Sequence, residues 1–122
     1  MIEKEKYTIE QLANGIIRVE TKKGIHFLEE DLKEVNRIYT EELKISNGLF
    51  LIVIGEDSTS DFDNFKRFAK PDRNKIRKAE AIVVKSVLHN VESDYYIKHF
   101  KVDHPVKIFD NEDDAILWLK VI

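Results

Sequence analysis

The chain is 122 residues long, 43% hydrophobic and 35% charged, with a formal net charge of −3. That is enough apolar material for one core beneath a charged surface, and too much for disorder. No cysteine is present, which excludes disulfides, thiolate metal sites and cysteine nucleophiles. The basic residues form no dominant stripe, so nucleic-acid binding is not expected.

In chain order, Met1–Leu12 contains no apolar run, and the longest one anywhere, Leu49–Ile54, is too short to span a bilayer. A cytoplasmic protein that is not membrane-spanning is therefore expected. Tyr7–Leu12 alternates apolar and polar residues, and Ile16–Thr21 is rich in β-branched ones. Asn14-Gly15 between them supplies the positive φ that a tight turn needs, so a β-hairpin is predicted. A second turn at Lys22-Lys23-Gly24 leads to a short strand over Ile25–Phe27.

Leu28, Leu32, Val35, Ile38, Tyr39 and Leu43 recur at helical spacing. Glu29, Glu30 and Asp31 crowd the start, where the helix dipole favours negative charge, and Ser46-Asn47-Gly48 is a stop signal. Leu49–Ile54 reads as a strand buried on both faces, hence central in a sheet. A polar loop follows, then a short helix with Phe62, Phe65 and Phe68 on one face. Pro71 opens a second turn or helix over Asp72–Lys78, in a basic stretch (Lys66, Arg67, Lys70, Arg73, Lys75, Arg77, Lys78) that reads as a solvated face.

Ala81–Val84 is the next buried strand, and Ser86 can cap a helix whose inner face takes Leu88, Val91, Tyr95 and Phe100. Pro105 precedes a strand over Val106–Phe109. Asp110, with Asp113 three residues on, suits the N-terminus of a last helix that carries Ala115, Ile116, Leu119 and Ile122 inward, with Trp118 beside them. The order is ββαβαβαβα, an α/β chain. It predicts a mixed, mostly parallel central sheet of about five strands with an N-terminal β-hairpin and about four helices. One domain over 1–122 is expected.

The wording of Ala79, Ala81-Ile82-Val83-Val84, Ser86, Pro105–Phe109, Ala115 and Trp118-Leu119 resembles the STAS superfamily of sulfate-transporter and anti-sigma-factor-antagonist domains. The closer likeness is to its SpoIIAA-like branch of small, uncharacterised bacterial proteins. These residues pack a core, so they argue fold rather than activity. The resemblance implies a non-catalytic STAS-like protein-interaction or regulatory module, with another protein as partner.

It also singles out the loop Asp57-Ser58-Thr59-Ser60. In anti-sigma-factor antagonists this position holds a phosphorylatable serine at a helix N-terminus. Here Ser60 stands where that motif has glycine, and the plain alternative is a loop with an N-cap. STAS-like folds also resemble SEC14-like lipid carriers, so the alternative function is a carrier or sensor of a small apolar, lipid-like ligand. Its pocket would be built from Phe62, Phe65, Tyr95, Tyr96 and Phe100; the plain alternative is a packed core.

No metal is expected, since His26, His89, His99 and His104 lack ligand spacing, and His89 with Glu92 reads as a surface helix pair. No cofactor motif or catalytic constellation is present either, so the chain is not expected to be an enzyme. The edge strand Tyr7–Leu12 permits a homodimer.

Overall fold

The computed structural model describes residues 1–60, 75–99 and 102–122. The expected Phe62–Phe68 helix and Phe100 lie outside them, as do residues 72–74 of Asp72–Lys78. The described elements are β1 Ile2–Glu3, β2 Tyr7–Gln11, β3 Ile16–Thr21, β4 His26–Phe27, α1 Glu29–Arg37, β5 Gly48–Val53, β6 Thr59–Ser60, β7 Arg77–Val83, α2 Val87–His99, β8 Val106–Phe109 and α3 Glu112–Lys120. The fold is mixed α/β, with a mainly parallel sheet and three described helices.

The expected sheet of about five strands has six in the structure, in the order β1-β2-β3-β5-β7-β8. The strand missed was β1: it pairs antiparallel with β2, Ile2 opposite Ile9, and so covers part of the edge expected to be open. The short strand expected after Gly24 is β4, but it pairs with β6 in a separate two-stranded sheet.

The hairpin forms as its turn residues demand. Leu12 N–H donates to Ile16 O at 2.8 Å, Gly15 N–H to Leu12 O at 2.9 Å, and Gly15 sits at φ 82°. β3, β5, β7 and β8 are then mutually parallel. Each lies beside its predecessor, so the chain steps across the sheet in one direction. Right-handed crossovers in a constant direction put every connecting helix on the same face.

That is where α1 and α2 lie. Val35 of α1, with Ile38 and Tyr39 of the π-helical turn Ile38–Glu42 that extends it, pack with Ile17, Val19 and Phe50. Tyr96 of α2 packs on Ile82 and Val84. Among the described helices only α3, which follows β8, folds back over the other face, where Ala115 and Leu119 meet Ile16, Leu51, Ala79, Ala81 and Val83. Burying side chains of this size contributes about 1.5–3 kcal/mol each.

Local chemistry fixes the ends of these helices. Asp31 Oδ2 accepts from the Leu28 N–H and from Lys6 Nζ, both at 2.8 Å, which ties the start of α1 to the loop before β2. Ser86 Oγ accepts the His89 N–H at 3.0 Å, as expected for a cap. The cap of α3 is Asn111, one residue past the expected Asp110. Its side chain accepts the Asp114 N–H at 2.9 Å, because Phe109 O is still held in the sheet by Val84 N–H at 2.9 Å.

Two further expectations change. The turn or helix expected up to Lys78 gives way to β7 at Arg77: Gly48 N–H donates to Ile76 O at 2.7 Å, so the neighbouring strand captures this backbone. The inner face of α2 is also not the one expected. Leu88 and Val91 point outward, 58% and 61% exposed, while His89, Ser93 and Tyr96 are buried.

At the start of α3 the second face becomes polar. Arg18 of β3 makes a two-pronged ion pair with Glu112, Nε to Oε1 at 2.7 Å and Nη2 to Oε2 at 3.1 Å. The pairing lowers the Glu112 pKa and raises that of Arg18. On the first face, burial and a hydrogen bond donated to Glu34 raise the pKa of Tyr7.

Candidate functional site

Two features meet where β5 ends: a tied-down loop and a cavity behind it. The loop is built from close backbone approach. Gly55 passes so near β3 that a Cβ there would lie 2.1 Å from Thr21 O, and its N–H donates to Thr21 Oγ1 at 2.7 Å. Ser58 N–H closes a turn onto Gly55 O at 3.1 Å, with Asp57 held at φ 58°. Gly24 N–H donates to Glu56 O and Thr59 N–H to Ile25 O, which aligns β6 with β4.

This places the four loop residues singled out in the sequence. Asp57 is exposed. Ser58 is buried, 5% exposed, with its hydroxyl 3.4 Å from Thr21 Oγ1. Thr59 is exposed and its Oγ1 lies 2.7 Å from His26 Nδ1. Ser60 is half-buried, and Thr59-Ser60 is strand, not helix.

The loop is joined to α2 by His89. Its Nε2 lies 2.7 Å from Ser58 O, and since a carbonyl can only accept, Nε2 carries the proton. His89 is thus a buried latch, 6% exposed, and not the surface partner of Glu92 that its spacing suggested. A buried carbonyl needs a donor, which is why the histidine turns inward. The adjacent residues then turn outward: Val87, Leu88 and Val91 form an apolar patch beside the loop.

Behind the loop, between the sheet and the helices α1 and α2, lies a cavity of about 170 Å³. Its floor follows one row across the sheet, Val19 opposite Ile52 opposite Ile82. Phe27, Val35 and Tyr39 add apolar wall. Arg77 and Glu80 lie toward the start of the strands, while Thr21, Ser58 and His89 lie toward their ends.

Arg77 reaches this face because the register shifts: Gly48 pairs with Arg77 but Leu49 with Ala79, leaving Lys78 as a bulge. The Arg77 guanidinium is buried 4.1 Å above the Phe50 ring centroid, not on a solvated face. Glu80 is buried as well, accepting from Tyr96 Oη at 3.1 Å, with His104 Nε2 at 3.2 Å from the same oxygen.

Of the aromatic residues expected to form a pocket, Tyr96 is in the wall and Tyr95 is half-buried outside it. Phe62, Phe65 and Phe100 lie outside the described residues. Sequence reasoning missed Arg77, Glu80, His89 and Ser93. Glu80 had a readable signal, an acid inside the apolar strand Ala79–Val84. So did α2, where His89, Ser93 and Tyr96 stand at steps of four and three. The bulge that turns Arg77 inward had none. Among the described residues no group of three or more His, Asp or Glu side chains is placed to hold a metal ion, and no helix is long and apolar enough to cross a membrane.

A family model described as a domain of unknown function, DUF7793, matches residues 10–122. Among solved structures, a DUF3478-family protein from Shewanella loihica PV-4, described as having a SpoIIAA-like fold, is similar with a TM-score of 0.63. The identity is 19%, and the likeness covers 98% of each chain. The SpoIIAA-like resemblance read from Ala79–Leu119 therefore holds at the level of the fold. No curated protein matches the chain.

Proposed function

The chain belongs to the DUF7793 family, and we propose that it is a single STAS-like domain that works without catalysis, by binding another protein. The observation that carries this reading is the patch of Val87, Leu88 and Val91, 83%, 58% and 61% exposed, beside the Asp57–Ser60 loop. Apolar side chains that a helix presents outward, next to a loop braced by backbone hydrogen bonds, suit a protein interface. Of the loop hydroxyls, Thr59 is the one open to a kinase; Ser58 is buried. A phosphate on Thr59 would set a dianion at the rim of the patch and repel an acidic partner.

The test is site-specific photo-crosslinking in the source cell, with the probe at Leu88 and a control probe at Asp113 on α3. One protein adduct is expected at Leu88 and not at Asp113, lost on Val91→Asp and on Thr59→Glu but retained on Thr59→Ala. Identical adducts at both probes, or none at Leu88, would overturn the interface. Retention on Thr59→Glu would overturn the switch alone. The alternative reading, a carrier or sensor of a small apolar, lipid-like ligand, would draw on the space of about 170 Å³ between the sheet and the helices, which suits one small ring.

A further inference from the structure

We propose that the cavity over Val19, Ile52 and Ile82 is a binding site for a small, neutral molecule of single- or fused-ring size with one hydrogen-bonding group, of the phenol or indole class. This goes beyond the protein-binding reading and does not depend on it.

The size comes from the volume. A cavity of about 150 Å³ lined by aliphatic and aromatic side chains holds benzene, and this one measures about 170 Å³. The dense packing of Ala115 and Leu119 on the other face shows that the chain can close a core, whereas on this face it leaves a half-open pocket. The shape comes from the register: three β-branched side chains in one row make a flat apolar floor, with the Tyr39 and Phe27 rings in the wall.

The polarity comes from the ends. Arg77 is matched by Glu80 at one end, and Glu92 adds a second carboxylate to the lining, so the wall has no excess positive charge to draw in an anion. Burying an uncompensated ligand charge between them would be unfavourable. At the other end Thr21, Ser58 and His89 offer hydroxyl and imidazole groups within the same wall. An apolar body with few convergent polar groups is the usual make-up of a small-molecule site.

The probes are phenol, indole and, as the charged counterpart, benzoate at neutral pH, read by thermal unfolding and by methyl NMR of the full chain. Phenol or indole at millimolar concentration is expected to raise the unfolding midpoint and to shift the methyl resonances of Val19, Ile52 and Ile82, with benzoate binding more weakly. Ser93→Leu and Ile52→Phe each fill part of the cavity with a larger side chain and are expected to weaken binding by about tenfold or more. Leu117→Ser, exposed on α3, is expected to leave it unchanged. If Ile52→Phe does not fold, Ser93→Leu carries the comparison. The site is overturned if neither neutral probe moves those methyls, or if a folded filling variant binds as tightly as the wild type. The neutral ligand class is overturned if benzoate binds better than phenol.

Discussion

The two faces of the sheet are built to different rules. Under α3 the contact is small against large: Ala79, Ala81 and Ala115 interleave with Leu51, Val83 and Leu119 and are almost wholly buried. Under α1 and α2 the same sheet carries a cavity, with Arg77 and Glu80 buried at its side. The difference follows from topology. α3 covers one face and connects no two strands of the sheet, whereas the crossover helices on the other must also reach the next strand. The lesson is that a close-packed face stabilises the fold, leaving the other free to hold polar groups and space.

Substitutions can break this comparison. The largest effect is expected for Leu119→Ala, at about 2–5 kcal/mol, because a fully buried leucine on a face without slack leaves a void. Chemical denaturation would measure it, and a loss below about 1 kcal/mol would mean that this face is not the close-packed one. Adding volume separates the faces more sharply. Ala81→Leu is expected to cost about 1–3 kcal/mol by overpacking, while Ser93→Leu, facing the cavity, should cost clearly less in the same assay. Equal losses would show that the cavity offers no usable room.

The polar margin of the α3 face gives a smaller effect, about 0.5–1 kcal/mol after allowing for the partial exposure of Glu112. The folded-state pKa of Glu112 is lowered by Arg18, so this contribution is present above the unfolded carboxylate value and is lost as pH falls through the folded one. Arg18→Met should therefore lower the unfolding midpoint at pH 7, and the difference from the wild type should shrink as the pH falls below the unfolded carboxylate range. A difference that stays constant over that fall would assign the effect to packing. Smallest is Lys44→Gly, just beyond the π-helical turn at φ 57°, where removing Cβ is expected to add up to about 1 kcal/mol. A destabilisation there would show that the lysine side chain contributes more than its backbone costs.

The close-packed face was much the more legible in the sequence. The apolar run Leu49–Val53 and the Ala79–Val83 and Ala115–Leu119 wording report period and volume, which local pattern carries well. The cavity face was legible only in part. Leu88 and Val91 were expected inside because apolar residues usually are, yet the buried Ser58 carbonyl draws His89 inward and turns them out. Thr59-Ser60 becomes strand only because His26-Phe27, distant in sequence, lies beside it. The Lys78 bulge depends on the register with β5, which no local pattern encodes.

The strand order has a consequence for assembly. β1, β2, β3, β5, β7 and β8 lie side by side in the order in which they are synthesised. The hairpin can form first, and each later strand finds a completed edge waiting, so no strand has to be threaded between two already paired. Contacts between parallel strands are long in sequence and slow to form, but here they can form in sequence from one template. The helix that seals the close-packed face arrives after all six of these strands. A nascent chain halted before Glu112 would hold a nearly complete sheet with Leu51, Ala81 and Val83 bare, the stage at which it is most exposed to aggregation.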